Sequence, residues 1–253
     1  MRLSGVHVAV TGGASGLGEA AARHLAEHGA RVSVLDLHRD KAEAVAKAID
    51  GAAFTCDVTD ADGPAVALDA ACAKLGGLRA LVHCAGIGTA ARILGRDGPM
   101  PLEAFERVIR INLIGTFNMM RLAADRMAKL DPLPNGERGA IVNTASVAAY
   151  DGQLGQCAYA ASKGGIVSLA LPAARELARF GIRVNTVAPG IFLTPLLAEL
   201  PEDVQKGLAS SIPFPARLGD PEEFAMAVRH CLENGYLNAE TIRLDGALRL
   251  PPR

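Results

Sequence analysis

Neither sign of charge predominates in this sequence: 26 lysines and arginines stand against 27 aspartates and glutamates, for a net charge of -1, and no block of either sign occurs. A balanced chain of this kind argues against an electrostatic footprint for nucleic acid and leaves no polybasic patch for a membrane surface. Long apolar runs are missing too, since no segment approaches the roughly 18 uninterrupted apolar residues that a spanning helix needs. The start, MRLSGVHVAVTGG, has too short an apolar run and too early a turn for a secretory signal. The expectation is a soluble, cytoplasmic protein whose partners are small molecules or further copies of itself. Cysteine is sparse: Cys56, Cys72, Cys84, Cys157 and Cys231 are odd in number, widely spread and without a CxxC pair. They read as free thiols in a reducing compartment, against a disulfide framework and against a metal site. Cys157, close to Tyr159, reads either as a reactive thiol or as a small buried hydrophobe, and the second is expected. Repeats, low-complexity tracts and dividing linkers are absent as well. A chain with 50% hydrophobic residues is then expected to form one α/β domain over residues 1–253.

What is present is an alternation of β-branched runs with helical patterns. VHVAV is followed by TGGASGLG and then by EAAARHLAEHG, a strand, a glycine turn and a helix start. Gly12, Gly16 and Gly18 allow close backbone approach, and the free N–H groups at the positive end of a helix suit a pyrophosphate. The second strand, RVSVLDL, ends at Asp36. A carboxylate there accepts hydrogen bonds from a ribose diol and repels a 2′-phosphate, which favours NAD over NADP; the alternative is an N-cap for the following helix. The third strand, AAFTCDV, brings up Asp57 and Val58, where the acid either meets an adenine or caps a helix. The fourth, RALVHCAG, leaves the sheet at Cys84, Ala85 and Gly86, where backbone can pass close to a cofactor. AIVNTAS, IRVNTVAPG with Pro189 and Gly190 at its end, and ETIRL complete a doubly wound parallel sheet of about seven strands with right-handed crossovers.

Three connecting stretches carry more than connection. GTAARILGRDGPMP is rich in glycine and proline, and its Arg92 and Arg96 either reach an anionic substrate tail or are solvated surface charge. The long pattern LEAFERVIRINLIGTFNMMRLAADRMAKL holds Asn112 among apolar neighbours, where a buried amide must tie down a neighbouring backbone or hold an ordered water. Residues 191–217 contain four prolines among leucine, isoleucine and phenylalanine and read as an irregular substrate lid, in which Leu193, Leu196, Leu197, Leu208 and Phe214 close over an apolar chain. Pro172 predicts a kink in the helix after AIVNTAS, and Gly164-Gly165 permits close approach of helices, including symmetry-related ones.

The chemistry concentrates in SVAAYDGQLGQCAYAASK, residues 146–163. Tyr159 and Lys163 are four apart and share one helix face. A phenol titrates near 10, too high for acid/base work at neutral pH, and a fixed cation beside it favours the phenolate. Tyr159 is therefore a candidate general acid or base, and Ser146 ends the fifth strand at the carboxyl edge, where open α/β sheets bind ligands.

TGGASGLG, Asp36, CAG, Asn112, Ser146 and Tyr159-x-x-x-Lys163 stand in this order over nearly the whole chain, and together they resemble the short-chain dehydrogenase/reductase family. INLIGTFN, NTASVAAYDGQLGQCAYAASKGGIV, IFLTPLLAELP, IPFPARLGDPEEF and IRLDGALRL resemble most its type-2 3-hydroxyacyl-CoA dehydrogenase branch, also described as 17β-hydroxysteroid dehydrogenases. The resemblance implies an NAD-dependent oxidoreductase acting on a 3-hydroxyacyl-CoA, or on another alcohol or hydroxysteroid. In it Tyr159 exchanges the proton, Ser146 hydrogen-bonds the substrate oxygen, Lys163 lowers the Tyr159 pKa and binds the nicotinamide ribose, and Asn112 holds a water. It places Ser15, Leu17, Asp36, Asp57, Val58, Cys84 and Phe192 in the NAD site, completed by Pro189, Gly190 and Thr194, and Gln153 beside the substrate. It further implies a homotetramer, and the absence of a presequence-like start points to a cytoplasmic, bacterial relative. The intact Ser146, Tyr159, Lys163 and Asn112 set opposes a non-catalytic NAD-binding scaffold. His83 departs from the pattern, where asparagine is usual, and puts one structural hydrogen bond in question.

Overall fold

Several strands of this chain show no alternation of polar and apolar residues. HVAVT, GAIVNT and IRVNTVAP are buried throughout, as strands of a parallel sheet covered on both faces must be. A computed structural model describes residues 1–96 and 98–252, with the backbone alone at Leu196. In chain order β1 (His7–Thr11) leads into α1 (Gly16–Glu27), β2 (Arg31–Asp36) into α2 (Arg39–Ala48), and β3 (Ala52–Thr55) into α3 (Gly63–Leu75). After β4 (Leu78–His83) come a small antiparallel pair, β5 (Leu94–Gly95) and β6 (Gly98–Pro99), and a long helix in two parts. Its parts, α4 (Leu102–Ile109) and α5 (Gly115–Ala128), are joined by a π-helical turn at Arg110–Ile114. β7 (Gly139–Thr144), α6 (Cys157–Leu177) and β8 (Ile182–Pro189) follow, then α7 (Pro195–Ala198), α8 (Glu202–Ala209), α9 (Pro221–Glu233) and β9 (Thr241–Leu244).

Seven strands pair in parallel in the order β3-β2-β1-β4-β7-β8-β9. The chain runs outward from β1 through β2 and β3 and then returns to β4 on the other side of β1. The carboxyl ends of β1 and β4 therefore flank the point where winding reverses, the place where open α/β sheets leave a crevice for ligands. Val8, Val10, Val82 and Val142 pack on the side of α1 and α9, and Ala9, Leu81, Ile141 and Val184 on the side of α3 and α5. Each large side chain so buried contributes roughly 1.5–3 kcal/mol.

Two expectations about these elements are corrected by the structure. Residues 191–217 are not wholly irregular: α7 and α8 form within them, and the segment rests on a separate small core of Ile212, Leu218 and Leu248. Gly165 does allow the expected close approach of helices within the chain, since a Cβ there would meet Leu113 Cδ2 at 2.8 Å, whereas one on Gly164 would meet only Ala149 O at 4.0 Å. Cys157, expected to be buried, is exposed, because it opens α6 at the surface of the chain.

Candidate active site

A cleft of about 920 Å³ opens at the carboxyl ends of β1, β2, β4, β7 and β8. Two glycines shape its floor. Gly12 has a left-handed φ of 62°, and a Cβ on it would lie 2.7 Å from Ala85 N; one on Gly18 would lie 2.1 Å from Gly12 O. The turn and the β4 exit thus touch through bare backbone, as a chain wrapping a nucleotide requires. Ser15 stands at the N-cap of α1 with its side chain unused for capping, so the first N–H groups of the helix face the cleft. Asp36 Oδ2 accepts the Ala14 N–H (3.1 Å) and Oδ1 the His38 N–H (2.9 Å), tying the glycine turn to the tip of β2. It does not cap α2, whose N-cap is His38. Asp57 likewise caps no helix: its Oδ1 closes a turn with the N–H (2.9 Å) and hydroxyl (2.7 Å) of Thr59.

Gly12, Ser15, Gly16, Leu17, Gly18, Asp36, Asp57, Val58, Cys84, Ala85 and Gly86 all line this cleft, as do Ser146, Gln153, Tyr159, Lys163, Pro189, Gly190, Phe192 and Thr194. Asn112 does not. It is fully buried in the π-helical turn, where its Oδ1 accepts the Ile87 N–H (2.8 Å) and its amide donates to Ile87 O (3.0 Å) and Ser162 Oγ (3.1 Å). Of the two uses left open for a buried amide, tying a neighbouring backbone is the one its side chain serves. Its carbonyl accepts the Thr116 hydroxyl at 2.5 Å. Arg92 and Arg96 are exposed and away from the lining, and Arg107 of α4 is the arginine on the cleft wall. Arg107 is not among the residues that the sequence points to. In the lid, Leu197 lines the cleft, Leu208 packs on the small core, and Leu193 and Phe214 face solvent, Phe214 at 83% exposure. The side chain of Leu196 lies outside the described residues.

Ser146 sits two residues beyond β7, where its Oγ caps a 3₁₀ turn by accepting the Ala148 N–H (3.1 Å). Tyr159 and Lys163 face the cleft from the first two turns of α6. The Lys163 ammonium donates to Thr144 O at 2.8 Å and lies 5.8 Å from the centre of the Tyr159 ring. Burial pushes its pKa down to about 8, with the Cys84 thiol opposing. Burial pushes the Tyr159 phenol up, with the Ser146 hydroxyl partly opposing. The expected lowering by Lys163 is not found: the cation is engaged with a carbonyl, and lost hydration of the phenolate dominates.

Beneath the lysine, Thr11, His83, Asn143 and Thr186 stand in register across β1, β4, β7 and β8. His83 Nδ1 and Thr11 Oγ1 are hydrogen-bonded at 2.8 Å, and Thr11 Oγ1 also accepts the Ala85 N–H at 3.3 Å. The histidine thereby supplies a bond that fixes the β4 exit. Burial holds its pKa near 3, so it is neutral.

The cradle of bare backbone, the open helix N-terminus and the acid at the tip of β2 fit a nicotinamide dinucleotide. Among the described residues no cluster of three or more His, Cys, Asp or Glu is placed for a metal ion, and no helix is long and apolar enough to cross a membrane. The sequence pattern of the short chain dehydrogenases matches residues 6–205. The chain belongs to this family and is an oxidoreductase. It is 50% identical to the 3-hydroxyacyl-CoA dehydrogenase type-2 of Bos taurus over 254 residues, which covers 99% of this chain and 97% of that protein. The protein of the same name from Drosophila melanogaster is 51% identical over 247 residues, 96% of this chain and 97% of the other. The crystal structure of 3-hydroxyacyl-CoA dehydrogenase type-2 from Mycobacterium avium superposes with a TM-score of 0.93 at 45% identity, covering 98% of each chain.

Proposed function

We propose that the protein interconverts a 3-hydroxyacyl-CoA and a 3-oxoacyl-CoA, with NAD as its redox partner. The observation that carries this reading is the convergence of Ser146, Tyr159 and Lys163 on one cleft, in a chain half identical to proteins named for that substrate. When bound, the nicotinamide accepts or supplies the hydride. Tyr159 moves the proton at the substrate oxygen, and the Ser146 hydroxyl donates to the same oxygen as charge develops on it. Lys163, buried against Thr144, binds the nicotinamide ribose and lowers the barrier to phenolate formation once its ammonium faces that sugar. Asn112 fixes the Ile87 backbone on the opposite wall and retains the water assigned to it by family resemblance through its carbonyl. Gly12, Gly16 and Gly18 with Ser15 and Leu17 hold the pyrophosphate, Asp57 and Val58 the adenine, and Cys84, Ala85, Gly86, Pro189, Gly190, Phe192 and Thr194 the nicotinamide half. Gln153 stands beside the substrate.

NAD rather than NADP is supported by the Asp36 carboxylate at the ribose position. Of the two basic residues nearby, His38 lines the cleft beside Asp36, and Arg39 is paired with Glu43 at 2.7 Å. Ile114, Phe117 and Leu171 are about half exposed on α5, α6 and the π-helical turn, an apolar face that supports a homotetramer; its site would be the cytoplasm. The runner-up is an alcohol or hydroxysteroid dehydrogenase, favoured by the distance of Arg92 and Arg96 from the cleft. Steady-state assays of CoA esters, hydroxysteroids and simple secondary alcohols, each with NAD and NADP, decide among these. Turnover of CoA esters with NAD is expected; turnover of steroids or alcohols alone makes the runner-up correct, and a preference for NADP overturns the role of Asp36.

A further inference from the structure

The last residues of the chain come back to the cleft. Beyond β9 the chain turns at Gly246, whose left-handed φ of 58° and whose Cβ position, 2.7 Å from Ile212 Cγ2, leave room only for hydrogen. Leu248 is then fully buried with Ile212 and Leu218, and Leu208 and Leu250 pack on the same small core. The lid and the tail therefore share one hydrophobic cluster, separate from the core under the sheet. Polar contacts fasten the tail on its other side. Arg243 of β9 reaches Asp151 Oδ2 (2.6 Å), Asp245 Oδ2 (2.9 Å) and Leu248 O (3.1 Å), and its guanidinium lies 5.0 Å from the centre of the Tyr150 ring. Gln153 Nε2 donates to Pro251 O and the Leu154 N–H to Pro252 O, each at 3.1 Å. The segment that follows Ser146 and the end of the chain form one block. Leu250 emerges from that block into the cleft, with Val147, Ile191 and Leu197 on the adjoining lining.

We infer that the C-terminal segment 248–252 is a wall of the substrate cavity, that Leu250 sets the size of the apolar group accepted beyond the reacting carbon, and that Arg243 is a positioning residue that holds this wall against Gln153. The ligand chemistry is a straight alkyl or acyl chain, and the inference rests on the substrate reading given above. Leu250 lies on the side of Gln153 and the lid, away from the glycine turn and Asp36, so changes there act on chain length and leave the nucleotide alone. Shape selection in an apolar pocket is worth about tenfold or more per methylene.

The test compares Leu250→Ala and Leu250→Phe with the parent enzyme on 3-oxoacyl-CoA esters of increasing chain length. The ratio of kcat/KM for a long ester over a short one should rise about tenfold in the alanine variant and fall by a similar factor in the phenylalanine variant, with the KM for NADH unchanged in both. Arg243→Met should raise KM for the ester with little change in kcat, and Arg243→Lys should restore part of the loss. Unchanged ratios in both Leu250 variants overturn the inference, as does a uniform loss at every chain length together with a raised KM for NADH. If the parent turns over no CoA ester, the substrate reading falls by itself. The wall is then judged by the same comparison on straight-chain 2-ketones, followed by turnover or by quenching of bound NADH fluorescence.

Discussion

Replacing Lys163 by methionine should make the protein more stable at neutral pH and less stable in alkali. The ammonium is buried, and the drop of its pKa from 10.5 to about 8 corresponds to about 3 kcal/mol against folding while both states are protonated. A methionine of similar length removes that burden but leaves Thr144 O without its 2.8 Å partner, a loss of about 1–3 kcal/mol. The variant should therefore gain up to about 2 kcal/mol near pH 7, from the difference of these two terms. The sign reverses with pH. Between about pH 8 and 10.5 the unfolded chain keeps a proton that the folded chain has released, so the native protein gains stability as pH rises through this window. By about pH 10 most of the burden is gone while the bond to Thr144 still favours the native lysine, and the order of stabilities should cross. Urea unfolding followed by circular dichroism, without nucleotide and at one protein concentration, measures both pH values. A variant already less stable at neutral pH, or a gap that stays constant between the two, would refute the reasoning.

Tyr159→Phe should lower kcat by about 10²–10⁴ while fluorescence titration gives an unchanged affinity for NADH; retained single-turnover chemistry would remove the phenol from the proton transfer. Gly18→Ala brings a Cβ to 2.1 Å from Gly12 O and 3.2 Å from Cys84 Cβ, so it should weaken nucleotide binding more than about tenfold, with overpacking of roughly 1–3 kcal/mol; an unchanged Kd and Tm would show the turn to be pliable. Neutralising Arg107 should raise KM for a CoA ester in a salt-sensitive way, whereas neutralising Arg92 and Arg96 together should not, and kinetics at two ionic strengths separate the two arginine sets. Light scattering at micromolar concentration should give the mass of four chains; the mass of one would leave the exposed Ile114, Phe117 and Leu171 face unexplained.

The alternation of strands and helices was legible because the strands are buried on both faces: VHVAV, RALVH and AIVNT read as apolar runs whatever packs on them. The glycine turn and Asp36 were legible for a related reason, since a backbone that must touch backbone admits only glycine. What escaped depended on depth or on distant neighbours. The pair β5 and β6 is two residues per strand, too short for a period to register, and α7 and α8 are masked by the prolines that start them. The spacing of Tyr159 and Lys163 gave their common face but not their titration, which depends on how far each is withdrawn from water. Arg107 and Arg92 look alike in sequence, and only the packing of α4 puts one of them on the cleft. The return of Pro251 to Gln153 joins residues almost a hundred apart, and no local pattern signals it.

The π-helical turn at Arg110–Ile114 separates what the core asks of this helix from what the cleft asks of it. A π turn carries about one residue more than an α turn would. Deleting a single residue there would let the turn close as an ordinary α turn and leave the helix after it close to its present phase, since the extra residue is taken up within the turn itself. Met119, Met120, Ala123 and Met127 would stay buried against the sheet, while Asn112, which holds Ile87 from inside the turn, would lose its place. The less favourable turn therefore serves the wall of the cleft and not the core. A one-residue deletion in this segment should lower activity far more than stability.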